Sequence, residues 1–409
     1  YNPLPWPRGG LVHAPFPKSR PRTPLAAVTW RGAWAPVKQI DDEIQFVAER
    51  LPAMACAVYE PSMIHAVETP RLDTNTATVE TPMFKCVLDP ARGALRSLVH
   101  QASGRELVDR SSAHGFGQFL YERFDSNQVA AFVQAYVKID ADWAINELGK
   151  PSMPPASEVP YRAVSPRDCQ LSFEESRFSA TATMRAEASA ELPFGVTTRV
   201  TLYMNQPYVD LEVALHHKPA DPWPEAGWIC LPFQVDTPQF RLGRLGSIID
   251  PAKDIVPGAN RHLLGINTGV ALFNPQGRGV GLCSLDSPLV SLDTPGCWRY
   301  SRDFVPRKPA VFVNLFNNQW TTNFRLWNEG TWTFRVRIWA YDRYAAESAL
   351  ITPSLESRYP LQGAVVDGDA STLPDSASGV ALSRKGVMVT AFGSTSDGPG
   401  TLLRLWELA

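Results

Sequence analysis

From Phe178 to Leu192 every even-numbered residue is apolar (Phe178, Ala180, Ala182, Met184, Ala186, Ala188, Ala190, Leu192), and every odd-numbered one is polar or charged. A strict period of two describes a strand with one buried and one wet face. Val196, Val200, Leu202 and Met204 continue in a next strand. After the turn-like Asn205-Gln206-Pro207, Val209, Leu211, Val213 and Leu215 alternate with Asp210 and Glu212. Long strands joined by short connections make an antiparallel meander. The same period returns at 332–341, where Trp332, Phe334, Val336 and Ile338 face one way and Thr333, Arg335, Arg337 and Trp339 the other.

Helical periodicity is scarce. Residues 344–351 allow two turns, and 41–51 fit a helix or a strand. With 36 prolines and 27 glycines punctuating many short runs, the chain reads as an all-β protein of stacked antiparallel sheets. Its 409 residues exceed the size at which single cores stop growing, so two or three packed units are expected. Residues 111–168 interrupt the strand pattern and read as a long insertion, 363–380 read as a connector, and "GRGVG" at 277–281 reads as a hairpin turn.

Composition narrows the function. A formal net charge of −2, with no block of basic residues, argues against nucleic acid and anionic membranes as partners. No run of about 18 apolar residues occurs, so no membrane-spanning helix is expected. The six cysteines (Cys56, Cys86, Cys169, Cys230, Cys283, Cys297) are irregularly spaced with no CxxC pair; they read as buried free thiols, which leans towards a reducing, cytoplasmic compartment. The seven histidines form no HxH or HExxH motif, and His216 and His217, adjacent in a strand, point to opposite faces, so no metal is expected on this chain.

The most suggestive stretch is 314–330, "NLFNNQWTTNFRLWNEG", with Asn314, Asn317, Asn318, Asn323 and Asn328 beside Trp320, Trp327 and Arg325. A sugar offers an apolar face of C–H groups and a rim of hydroxyls, so stacking indoles beside amides and a forked donor match it. Trp223 and Trp228 flank Glu225 in a second such set, and Asp286 lies near Pro288. The carbohydrate-binding candidates are therefore Trp228, Asp286, Asn318, Trp320, Asn323, Arg325 and Trp327. The competing reading is structural: tryptophans filling the gap between sheets, asparagines capping turns, Asp286 and Glu225 as turn residues.

The two ends of the chain narrow the choice. "YNPLPWPRGGLV" at the start and "LLRLWELA" at the end resemble the opening and close of the β-rich C-terminal half of glycoside hydrolase family 38, the α-mannosidase type. Between them, "LPAMACAVYE" (51–60) and "ETPMFKCVLDPARGALRSLVHQASGRELVD" (80–109) follow in the same order. The stretch 111–168, with "YERFD" and "GKPSMPP", departs from the best-known α-mannosidases and resembles an uncharacterised branch. The resemblance implies a small β-sandwich segment at 1–66, a galactose mutarotase-like β-supersandwich at 67–360, and C-terminal strands at 361–409 packing with the N-terminal segment.

It also implies a division of labour. In that family a zinc ion and an Asp nucleophile sit on an N-terminal α/β barrel, and no residue here matches those motifs. This chain would then be non-catalytic, with no cofactor of its own and zinc expected in the catalytic domain. It would support that barrel, lend the 318–327 loop to a carbohydrate-binding rim, and carry an exposed apolar patch where the barrel docks. The alternatives are a stand-alone carbohydrate-binding protein of the mutarotase-like class, or a mutarotase-type epimerase or polysaccharide lyase. For the last, His216 pairs poorly with Glu212, four residues and roughly 13 Å along the strand.

Overall fold

A computed structural model describes residues 1–16, 25–62, 68–137, 143, 150, 152–321, 324–366 and 376–409. Among these, strands dominate and the sheets are almost wholly antiparallel. Two broad sheets make the body. The larger has nine strands, with Tyr208–Lys218 and Gly330–Tyr341 at its centre, flanked on one side by Gly195–Tyr203, Ser179–Ala186 and Gln170–Glu175. The second has six strands, in which Gln118–Arg123, Glu225–Pro232 and Ala310–Asn317 run side by side. Their inward residues share one core: Val200, Leu202, Val213, Val336 and Ile338 from the larger sheet, and Phe119, Ile229, Leu231, Val311 and Val313 from the smaller. A five-stranded sheet joins the same core through Phe84, Cys86 and Leu98.

The alternating pattern ends sooner than the sequence suggests. The strand Ser179–Ala186 stops six residues before Leu192, because Ser189 N–H donates to the Leu192 carbonyl at 2.8 Å and turns the chain ahead of Pro193. Residues 41–51 settle as the strand Glu43–Leu51, paired with Arg8–Pro15. The helical turns expected at 344–351 form, as a wide turn over Ala346–Ile351 running into the helix Thr352–Arg358. The hairpin turn read at 277–281 lies slightly earlier: residues 274–278 join the antiparallel strands Val270–Phe273 and Gly279–Ser284, and residues 279–281 already pair in the second strand. Two segments from beyond residue 360 return to the N-terminal region: Leu361–Gln362 pairs with Arg8–Pro15, and Ser376–Ser378 with Ala55–Ala57.

The region read as an insertion is only partly one. Gln118–Arg123 is an inner strand of the six-stranded sheet, and Arg162–Val164 pairs beside it at the edge. Between them the helix Ser126–Tyr136 starts at a capping box: Gln128 N–H donates to Asp125 Oδ1 at 2.9 Å, and Asp125 N–H donates to Gln128 Oε1 at 3.1 Å. Its buried residues Val129, Phe132 and Val133, spaced three and four apart, face the outer side of the six-stranded sheet. There they meet Leu120, Trp228, Cys230 and Phe312, with Cys297 and Trp298 from a covering loop. Both faces of this sheet are thus buried.

Candidate functional site

At one end of the sandwich the strand Tyr208–Lys218 gains a residue over its neighbour. Leu215 pairs with Trp332 but Lys218 with Gly330, and His217 takes a positive φ of 56°. This bulge reverses the parity of the strand, so Lys218 turns inward where simple alternation would place it outside. Its Nζ meets the Glu225 carboxylate at 2.6 Å, the two side chains being 1 % and 0 % exposed. The remaining ammonium hydrogens go to the carbonyls of Pro219 (3.1 Å) and Asn328 (2.8 Å), and the ring of Phe316 lies 5.1 Å away. Phe316 in turn covers Gly227, where an added Cβ would sit 2.3 Å from the ring. The other carboxylate oxygen accepts from Tyr121 Oη at 2.6 Å.

Burial pushes the Glu225 pKa up, with Lys218 and Tyr121 working against it, and pushes the Tyr121 phenol well above its ordinary value. Arg123 bonds both Tyr121 Oη and the Asp221 carboxylate, extending the network to the surface. Lys150 stands near enough for Glu225 to raise its pKa, but burial outweighs this and lowers it to about 8; its Nζ is buried with no hydrogen-bond partner among the described residues.

Asn314, Asn317, Asn318 and Asn328 are spent on this end of the fold. Asn318, 2 % exposed, accepts from Glu225 N–H at 2.8 Å and donates to the carbonyls of Trp223 (2.7 Å) and Leu326 (3.0 Å). Asn317 Nδ2 donates to Asn314 Oδ1 at 2.7 Å, and Asn328 Nδ2 to the Asn317 carbonyl at 3.1 Å. The amides tie a loop over the Lys218–Glu225 pair, and the Asn328 carbonyl is part of that lid.

The expected carbohydrate contacts are therefore scattered. Asn318 is a buried brace, because its amide is consumed by backbone partners. Trp228 is fully buried, with Nε1 donating to Glu122 Oε2 at 2.7 Å, so its ring lies inside the sheet–helix packing rather than on a rim. Asp286 forms a forked pair with Arg335, at 2.9 Å to Nε and 2.7 Å to Nη2, and also accepts from Arg335 N–H. Partial burial raises its pKa, but the bonds from Arg335 outweigh this and hold it below the usual carboxylate range. Arg325 pairs with Glu329 at 3.0 Å on the exposed part of the loop, beside Phe324, Leu326 and Trp327, which are 66 %, 41 % and 38 % exposed. Trp320 is half-buried against Phe132 and Tyr136. Asn323 lies outside the described residues.

Sequence reasoning missed Glu122. It is 4 % exposed and accepts from Tyr161 Oη at 2.6 Å as well as from Trp228; burial raises its pKa against these two donors and Arg299. It also missed Tyr136 and Tyr300, which gather with Trp320 around Phe132. Of the cysteines, Cys56 is exposed and the other five are buried, all of them free. Among the described residues no group of three His, Cys, Asp or Glu side chains could hold a metal ion. No helix among them is long and apolar enough to cross a membrane.

Comparison with known proteins bears on this architecture. An α-mannosidase from Enterococcus faecalis V583 matches 100 % of this chain with a TM-score of 0.61 at 11 % identity, over 50 % of its own length. The fold is shared. A glycosyl hydrolase family 38 protein from Enterococcus faecalis matches likewise, with a TM-score of 0.60 at 10 % identity over 100 % of this chain and 51 % of its own. A galactose mutarotase-like protein from Lactobacillus casei ATCC 334 is more distant, with a TM-score of 0.35 at 14 % identity over 64 % of this chain and 99 % of its own. The chain thus spans about half the length of these two Enterococcus faecalis structures. A family described as "Domain of unknown function (DUF5054)" matches residues 53–213, less than half of the chain. A search of curated proteins gave no match.

Proposed function

We propose that this chain is the non-catalytic β region of a larger α-mannosidase-like retaining glycoside hydrolase, in which it supports the catalytic barrel and contributes to a carbohydrate-binding rim. One observation carries the reading: the whole chain, end to end, matches one half of two solved proteins of that kind. Zinc and the nucleophile would then lie on the other half, and this region would supply packing surface and rim contacts.

Exposed apolar surface supports the docking role. The hairpin of Val387–Ser394 and Thr401–Glu407 pairs only with itself among the described residues, and Phe392, Leu402, Leu403, Leu405 and Trp406 on it are each 41–51 % exposed. Its base packs on the body through Met388, Leu408 and the Trp406 ring against Gly246, and the apolar side chains left exposed on such a ribbon mark a surface that another unit covers. The decisive experiment measures α-mannoside hydrolysis by the isolated chain and the mass of the protein its native source makes, detected with an antibody against this chain. The expected result is no turnover by the isolated chain, together with a native protein of about twice its mass or a co-purifying barrel subunit. Turnover by the isolated chain, or a native protein of the same mass with no partner, would overturn the proposal.

A further inference from the structure

Trp320 does not stand with the exposed residues of its own loop. Its ring packs edge-on against Tyr136, at 5.2 Å and 62°, and Tyr136 meets Tyr300 edge-on at 6.0 Å and 86°. Phe132 lies beneath all three, within 6.4 Å of each ring centroid. Tyr136 is 41 % exposed, Tyr300 and Trp320 are half-buried, and the Arg302 guanidinium lies 5.8 Å over the Tyr300 ring. Trp298 packs edge-on against the same Phe132 at 5.4 Å; it is 4 % exposed, and its Nε1–H is buried with no hydrogen-bond partner among the described residues. The rings come from three separate parts of the chain: the helix Ser126–Tyr136, the loop after Leu292, and the start of the 318–329 loop.

A purely apolar partner would suit ring faces alone. This cluster also sets a cation and an exposed phenol beside its rings. Because adjacent rings meet at steep angles, they form a corner: a bound group can lay a C–H face on one ring while its edge meets polar groups on the next. A hexose residue has both an apolar face and a rim of lone pairs.

We propose that Tyr136, Tyr300 and Trp320 form a stacking corner for a neutral hexose unit of a glycan, and that the carbohydrate rim lies there rather than on the exposed Phe324–Trp327 loop. This deepens the carbohydrate reading given above and rests on it. Tyr136 comes from the 111–168 stretch, Tyr300 from the loop after Leu292 and Trp320 from the residues after Asn317, so the corner exists only in the folded chain.

The test titrates the full chain with α-1,2-mannobiose, α-1,6-mannobiose and cellobiose, by calorimetry and by saturation-transfer NMR, for the wild type and for Y136A, W320A and W327A. Melting curves confirm that each variant is folded; Y136A removes an exposed ring and is the variant least able to perturb folding. The expected result is saturable binding of at least one disaccharide, weakened tenfold or more in Y136A and W320A and unchanged in W327A. Binding that survives Y136A and W320A but falls in W327A would overturn the corner and keep the carbohydrate reading. Absence of binding to all three disaccharides would overturn the carbohydrate reading and the corner with it.

Discussion

Removing Lys218 tests whether the buried ion pair organises its end of the sandwich. In Lys218→Met the apolar stem is roughly kept, but Glu225, 0 % exposed, retains only the Tyr121 hydroxyl for its carboxylate. Breaking a buried pair by removing one partner costs about 3–5 kcal/mol, because the remaining charge stays in a poorly solvated place. At about 2 °C per kcal/mol for a cooperative unit of roughly 250 residues, the melting temperature should fall by about 6–10 °C. The double variant Lys218→Met with Glu225→Gln leaves no stranded charge and should recover half or more of that loss.

The pH dependence follows from the same group. Burial already holds the Glu225 carboxyl above its ordinary pKa, and loss of the neighbouring ammonium raises it further. A carboxyl with a raised folded-state pKa binds more protons folded than unfolded, so stability falls as pH rises through that pKa and returns as pH falls. The deficit of Lys218→Met relative to wild type should therefore be larger at pH 8 than at pH 5. Denaturant melts of the three proteins at the two pH values decide it. A single-variant cost below about 1 kcal/mol, or a double variant no better than the single, would refute the argument.

Three further outcomes follow. Asn318→Ala removes the side-chain partner of Glu225 N–H and of two carbonyls, and should cost about 1–3 kcal/mol while making residues 319–329 an early site of limited proteolysis; a resistant loop would contradict the bracing role. Asp286→Asn breaks a forked but partly exposed pair with Arg335, so its cost should be at most about 1 kcal/mol and should shrink further in molar salt. Cys56 should react with a thiol reagent in the native protein while the other five cysteines react only on unfolding; fast reaction of a second thiol would show that the sheets open locally.

The strands were legible where one face is wet. Phe334, Val336 and Ile338 alternate with Thr333, Arg335 and Arg337, and that contrast is written in residue type. It fails at Gln118–Arg123, where Phe119 and Tyr121 enter the central core while Leu120 and Glu122 lie under the helix, so a strand buried on both faces shows no alternation. The site was harder to read, because a composition of amides and indoles does not reveal where each group points. Asn318 and Trp228 have the chemistry of sugar contacts yet are consumed internally, the one by backbone groups and the other by Glu122. Tyr136 and Tyr300 are ordinary aromatics in sequence and meet Trp320 only through the fold.

The bulge at His217 holds one residue more than the strand opposite it, and that surplus decides which changes of length this end of the protein absorbs. Many side chains could stand at the half-buried His216 with modest effect, whereas the positive φ of 56° at His217 favours Gly, Asn or Asp and disfavours β-branched residues. Deleting either residue would leave Lys218 two positions after Leu215, opposite Gly330 in an unbroken ladder and still facing inward, so the ion pair with Glu225 would survive. In a deletion scan of this strand, loss of His216 or His217 should therefore cost less than Lys218→Met, whereas loss of a residue between Tyr208 and Leu215, which turns the alternation over, should cost more. Natural length variation in this strand should then fall at 216–217 rather than between Tyr208 and Leu215.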